Sequence, residues 1–282
     1  HRDLHSFPTR RSSDLVGLLA GLAGLAADWP TYRGDNQRSG VTAEALAFPL
    51  AEQWHFRAAH APSPAWEAPR NVPVEGILEL GRIQFDDTYQ PVAAAGLVFF
   101  ATTTDHRIVA LEAATGQIRW QHVLGGPVRL APAVWDNKVY VAADDGWAHC
   151  FAAADGEVVW QRLLAPREER ILGNGRMISR WPCRTGLLIQ DGVGYAGVGI
   201  WPAEGVFLEA FDAATGRTLW RNDQLGEVSE TFVSPQGYML TANDLLFVPQ
   251  GRVSPVAFTR ATGAYARSEE QRLNSSHRIR SR

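Results

Sequence analysis

Lysine is all but missing from this chain of 282 residues. Lys138 is its single copy, so arginine supplies nearly all of the 27 basic residues. The formal net charge is −3, and the two ends, residues 1–15 and 267–282, hold eight arginines and four acidic residues. That surplus of +4 at the ends leaves −7 on the body between them. An acidic body with one lysine is a poor ligand for a phosphate backbone, which argues against a nucleic-acid partner. Cysteine is scarce as well. Cys150 and Cys183 lie 33 residues apart, and no His/Cys cluster has the spacing of a metal site. An exported protein could join the two as a disulfide, but buried, inert thiols are the expectation. Long apolar runs are also missing. VGLLAGLAGLAA (16–27) has only twelve residues, too few to span a bilayer.

What the chain has in quantity is one phrase. LEAATGQIRW (111–120), FAAADGEVVW (151–160) and FDAATGRTLW (211–220) share an outline, and AFTRATGAY (257–265) is a fainter copy. Each reads as strand, tight turn, strand. Gly116, Gly156, Gly216 and Gly263 supply the positive φ that closes the turn. Four residues beyond the first three glycines stand Trp120, Trp160 and Trp220, each able to fill a seam between neighbouring units. Cys150 occupies the small position held by Ala110, Ala210 and Ala257 in the other copies. Upstream of every phrase lies a second turn: Ala95-Gly96, Asp136-Asn137, Asp191-Gly192 and Asn243-Asp244. A β-rich run follows each of these: LVFFAT, KVYVAA, VGYAGV and LLFVPQ. The unit is therefore a four-stranded antiparallel meander of roughly 40 residues, the size of a propeller blade. An isolated blade leaves both faces bare, so several must stack around an axis.

The repeated turn, small residue and tryptophan resemble the pyrroloquinoline-quinone (PQQ)-binding-like β-propeller repeat, over roughly residues 29–266. DWPTYRGDNQRSGVT (28–42) and LGNGRMISRWPCRTG (172–186) are similar to exported bacterial members related to the outer-membrane assembly lipoprotein BamB. The resemblance implies an all-β propeller whose tryptophans dock between blades. It also implies an evolutionary link to PQQ dehydrogenases, although many members bind no quinone. A vicinal cysteine pair, carried over the quinone by many of those dehydrogenases, has no counterpart here.

The ends fall outside this pattern. FPTRRSSDL (7–15) and RSEEQRLNSSH (267–277) match no repeat and resemble translated sequencing adapters, so residues 1–15 and 267–282 are expected to be disordered artefacts outside the fold. Residues 16–27 read as a signal-peptide h-region, with a short buried helix as the alternative. That places the protein in the periplasm or cell envelope, at most peripheral to the membrane. LAEQWHF (50–56) reads as the last strand of a blade whose other strands are missing. The expectation for 28–266 is an incomplete propeller, part of a seven- or eight-bladed ring.

Four motifs invite chemistry. Gly192-x-Gly194-x-x-Gly197 matches a dinucleotide fingerprint, but it falls on a repeat strand where that motif needs a helix. Arg33-Gly34-Asp35 suits a polar turn. Asp86-Asp87 and Asp144-Asp145-Gly146 could hold calcium through carboxylates, but solvated blade turns are the plainer expectation. The stretch 163–186 interrupts the repeat and carries Arg167, Arg170, Arg176, Arg180, Trp181 and Arg184. Guanidiniums beside an indole suit an anionic ligand or a protein partner at the propeller rim. The alternative is that they pair with Glu168, Glu169 and neighbouring blades. Asp87, Tyr89, Arg129 and Glu230 precede first strands and would line the channel mouth.

Together these features point to a non-catalytic, exported β-propeller serving as a binding or scaffold module, with no cofactor expected. A PQQ-dependent alcohol or sugar dehydrogenase that uses calcium is the alternative. Glycan binding by Trp66, Trp147 and Trp201 is a weaker third reading.

Overall fold

A computed structural model describes residues 27–46, 48–65, 86–173, 175–225, 233–250 and 254–268. Blade one comprises β1 (Val92–Ala94), β2 (Leu97–Ala101), β3 (Arg107–Glu112) and β4 (Ile118–Val123). Blade two comprises β5 (Ala133–Trp135), β6 (Lys138–Ala142), β7 (Trp147–Ala152) and β8 (Val158–Leu163). A two-stranded hairpin follows, β9 (Arg170–Gly173) and β10 (Arg176–Ser179). Blade three is β11 (Cys183–Gln190), β12 (Val193–Val198), β13 (Phe207–Asp212) and β14 (Thr218–Asn222). Blade four is β15 (Leu240–Ala242), β16 (Leu245–Val248), β17 (Val256–Thr259) and β18 (Tyr265–Ser268). Each blade is an antiparallel meander in chain order. Among the described residues the only helix is one 3-10 turn, Pro202–Glu204. The fold is a β-propeller, with its described blades in an open array.

The repeat explains the meander turn by turn. Ala95 and Gly96, Asp136 and Asn137, and Asp191 and Gly192 all have positive φ, which matches the twist of two-residue hairpins. In the phrase turn the glycine N–H reaches back four residues, from Gly116 to Glu112 O at 2.8 Å and from Gly216 to Asp212 O at 2.8 Å. A one-residue register shift follows in β3, β7, β13 and β17. That shift sets Ala110 opposite Trp120, Cys150 opposite Trp160 and Ala210 opposite Trp220. The small position therefore exists because an indole lies across the strand from it.

Successive blades are joined by a knob and a socket. The Trp120 indole N–H donates to Ala153 O at 2.8 Å, Trp160 to Ala213 O at 3.0 Å and Trp220 to Arg260 O at 2.9 Å. Each indole lies against the phrase glycine of the next blade. A Cβ on Gly156 would meet the Trp120 ring at 2.6 Å, and one on Gly216 would meet Trp160 at 2.9 Å. Two residues past the tryptophan a second donor completes the joint. His122 Nε2 reaches Gly156 O at 2.7 Å, Arg162 Nη1 reaches Gly216 O at 2.7 Å and Asn222 Nδ2 reaches Gly263 O at 2.7 Å. Residues 50–56 form no strand, yet Trp54 docks in the same way, its N–H on Ala113 O at 2.8 Å and its ring against Gly116.

The core consequently lies between blades. Phe99 and Trp120 pack with Val141 and Phe151, Tyr140 with Ile189 and Phe211, and Tyr195 and Leu208 with Leu246 and Phe258. Burying each such side chain contributes about 1.5–3 kcal/mol. Cys150 and Cys183 are buried and free, so no disulfide joins them. β18 runs through Ser268, two residues past the boundary expected at 266, because the hairpin register with β17 continues that far. The expected h-region and adapter-like ends otherwise fall outside the described residues.

Candidate functional site

Glycine packing builds the charged centre at the end of the blades where β6 turns into β7. A Cβ on Gly126 would meet the Asp145 backbone nitrogen at 2.6 Å, so only glycine lets residues 124–127 press onto the 144–145 turn. That approach is fixed by the Asp144 N–H on Pro127 O at 2.8 Å. Asp144 is thereby buried, and two guanidiniums meet on it. Arg129 Nε donates to Asp144 Oδ2, and Arg184 Nε lies 3.1 Å from Asp144 Oδ1. Arg129 Nη1 also reaches Asp86 Oδ2 at 2.7 Å and Ser63 O at 3.0 Å, while Asp86 accepts from the Ala65 N–H at 2.8 Å. Two carboxylates and two guanidiniums thus neutralise one another inside the protein. Removing one member of such a cluster costs about 3–5 kcal/mol, because the others stay buried unpaired. The expectation of solvated turns at Asp86 and at 144–146 is therefore corrected. Residues 63–65 and 124–127 cover these carboxylates, and arginine takes the place of water.

The 163–186 stretch folds onto this centre through β9 and β10. Arg176 Nη1 donates to Thr104 O at 2.9 Å and lies 3.2 Å from His106 Nε2, bridging back to blade one. Burial first, and then the Arg176 charge, hold His106 below its ordinary pKa, so its Nε2 serves as an acceptor. Arg170 Nη1 donates to Gly125 O at 2.9 Å. Arg167 and Arg180 both pair with Glu169, at 2.6 and 2.5 Å, and Arg180 also faces Glu204 at 3.3 Å. Hydrogen bonds from Arg167 hold the Glu169 carboxyl below the usual range, with Arg180 adding to the effect. Trp181 and Arg184 face inward, contrary to the expectation that the loop displays them. The Trp181 indole N–H donates to Glu204 O at 2.6 Å, because the stretch returns to blade three there and becomes the start of β11.

The structure therefore brings Arg129 and Arg184 together on Asp144, while Arg176 is tied to Thr104 and His106 of blade one. Asp87 is exposed, and the Tyr89 hydroxyl donates to His60 O nearby. Glu230 and Trp66 lie outside the described residues. The Trp147 indole N–H donates to Glu168 Oε1 at 3.1 Å. Exposed on the hairpin, beside Arg170, are two apolar side chains: Leu172 is 73% exposed and Met177 51%. Sequence reasoning did not anticipate Asp144 as the hub of an ion cluster or Trp54 as a docking indole. Glycines at 125–126 facing Asp144-Asp145 were the available sign of the first, and a tryptophan in LAEQWHF that of the second.

A quinone with calcium needs carboxylate oxygens free to converge on the cation. Asp144 carries two guanidiniums and Asp86 shares one of them. Among the described residues no group of three or more His, Cys, Asp or Glu side chains could hold a metal ion. The described residues do not fit that pair of groups.

The sequence pattern of the family described as "Outer membrane protein assembly factor BamB" matches residues 51–205, more than half of the chain. The chain belongs to the BamB family. This BamB-family propeller is also similar to quinone-dependent enzymes. It is 33% identical over 137 residues to the dehydrogenase subunit of a quinone alcohol dehydrogenase of Gluconobacter oxydans (strain 621H). That match covers 44% of this chain and 17% of the relative. It is 34% identical over 106 residues to a quinohemoprotein alcohol dehydrogenase of Comamonas testosteroni, covering 37% of this chain and 15% of the relative. The chain thus spans less than a fifth of the curated relatives it matches. The crystal structure of the quinohemoprotein alcohol dehydrogenase from Comamonas testosteroni superposes with a TM-score of 0.56 at 18% identity, covering 85% of this chain and 40% of that one. A europium-containing methanol dehydrogenase superposes at 0.50 and 13% identity, covering 84% and 48%. These two likenesses establish the fold. No helix among the described residues is long and apolar enough to cross a membrane.

Proposed function

We propose that this BamB-family chain is a non-catalytic, exported propeller that serves as a binding or scaffold module in the bacterial cell envelope. The observation that carries the reading is the closed charge cluster. Arg129 and Arg184 face Asp144 and Asp86 rather than an open pocket, so the groups best suited to grip a cofactor instead tie three loops together. The 163–186 hairpin is the partner surface. Exposed Leu172 and Met177 form an apolar pair across the hairpin, with Arg176 on its turn side and Arg167 and Arg170 on its base side. Its ligand is a protein with an apolar contact and acidic flanks, since methionine and arginine are both enriched in protein interfaces.

The second reading is a PQQ-dependent alcohol or sugar dehydrogenase, favoured by the 33% identity to the Gluconobacter enzyme subunit. One experiment separates the two. Purified protein is incubated with PQQ and calcium, and reduction of an artificial electron acceptor is followed with primary alcohols and aldoses. No reduction above a protein-free control is expected. Turnover that depends on both additions refutes the non-catalytic reading.

A further inference from the structure

Residues 29–38, Trp-Pro-Thr-Tyr-Arg-Gly-Asp-Asn-Gln-Arg, bond to the first strand, or the residues beside it, in all four blades. In β1, Ala93 and Trp29 exchange both backbone bonds, at 2.6 and 2.9 Å. In β5, the Val134 N–H donates to Pro30 O at 2.7 Å. In β11, Asn36 Nδ2 donates to Ile189 O at 2.6 Å and to Gln190 Oε1 at 2.9 Å. In β15, the Thr241 N–H donates to Asn36 O at 2.9 Å, and just ahead of that strand Met239 O accepts from Arg38 Nε at 2.9 Å. Tyr32 stacks on Tyr238 of blade four at 3.8 Å and 8°. The Tyr238 hydroxyl in turn accepts the Ala131 N–H of blade two at 2.6 Å.

The stretch also holds its own shape. Gly34 N–H reaches Thr31 O at 2.9 Å, Arg38 N–H reaches Asp35 O at 3.1 Å, and Gly40 N–H reaches Arg33 O at 2.9 Å. Arg38 Nη1 adds a bond to Thr31 Oγ1 at 2.7 Å. Arg33, Gly34, Arg38 and Gly40 take the positive φ values that such tight turns need. Downstream, Val41, Leu46, Phe48 and Leu50 are exposed, so beyond Ser39 and Gly40 these side chains do not pack over the stretch. A preformed turn unit with side chains aimed at several elements has the organisation of a bound peptide.

We propose that residues 29–38 are a detachable axial clasp, a peptide-like ligand carried in cis that docks as one unit on the inner strands of four blades and unties them together when it leaves. The amides of Ala93, Val134 and Thr241 belong to three different blades and share only this stretch. Native-state hydrogen exchange on the full chain reads them directly. Once divided by each amide's intrinsic rate, the three should report one common opening free energy, lower than that of mid-blade amides such as those between β6 and β7.

Asn36→Ala removes two side-chain bonds to β11 and touches none of the three amides. It should nevertheless accelerate all three together, by about tenfold or more, and leave the mid-blade amides unchanged. Tyr32→Phe keeps the stack and should leave all rates at the wild-type value. Three unrelated opening free energies, or acceleration confined to Thr241, overturns the clasp. So does exchange of the three amides only with global unfolding. Where Asn36→Ala fails to fold, Arg38→Lys, which gives up the bond to Met239, is read by the same criteria.

Discussion

Replacing Gly156 by alanine isolates what one knob-and-socket joint contributes, because the chain carries its own control. Gly156 and Gly96 share a φ of 77°, so a methyl group strains both backbones alike, by about 1–2 kcal/mol. Their surroundings differ. A Cβ on Gly96 meets nothing within 4 Å, whereas one on Gly156 meets the Trp120 ring at 2.6 and 2.9 Å. The indole cannot simply retreat, because its N–H is held on Ala153 O at 2.8 Å. Displacing it adds an overpacking term of about 1–3 kcal/mol and weakens a hydrogen bond with a net contribution of about 1 kcal/mol. Gly96→Ala should therefore cost about 1–2 kcal/mol and Gly156→Ala about 3–5 kcal/mol. At about 2–4 °C per kcal/mol for a chain of this size, the melting temperatures should differ by roughly 5–10 °C. Urea unfolding followed by tryptophan fluorescence gives the same comparison at room temperature. Equal destabilisation of the two variants refutes the view that the glycine exists to seat the indole.

Two further outcomes follow from buried titratable groups. Burial pushes the Cys150 thiol up to about 12 and the Cys183 thiol up to about 11, so neither should react with a thiol reagent at pH 8 unless the chain is unfolded; rapid labelling of native protein contradicts this. Burial first, and then the neighbouring His122, lower the His149 pKa from 6.5 to about 4. The unfolded chain then binds a proton that the folded chain refuses, so stability should fall as pH drops from about 6.5 towards 4 and level off below. His149→Gln should flatten that decline, and an unchanged pH slope of the melting temperature counts against the assignment.

The repeat made the blades legible because its signals are local. Paired residues of positive φ, an offset glycine and a tryptophan four residues later fix the hairpins of the first three blades without reference to the rest of the chain. The β-rich runs KVYVAA and VGYAGV became β6 and β12 nearly residue for residue. Association between distant segments was not legible. Nothing near Asp144 in the sequence announces that Arg129 and Arg184 will converge on it, since they come from the loop before β5 and from β11. Trp181 read as a surface residue because its loop is rich in arginine. Its burial depends on Glu204, 23 residues away, turning a backbone carbonyl towards it. The donor two residues past each tryptophan was hidden for a different reason. His122, Arg162 and Asn222 perform one role with three side-chain types, so no shared letter marks the position.

The joints also have a direction in time. Each indole belongs to the earlier segment and each socket to the later one, so a ribosome makes the knob first. The intervals are 59 residues for Trp54, 33 for Trp120, 53 for Trp160 and 40 for Trp220. At about 5–20 residues per second, each knob waits roughly 2–12 s for its socket, a bare indole facing water. Two of these waits are long. The one at Trp160 is lengthened by the arginine-rich insertion, which must emerge before blade three can cover the ring. A nascent chain of this design therefore displays its aromatic flags one at a time, and a ribosome-associated chaperone that binds exposed indoles would find its longest openings behind residues 54 and 160.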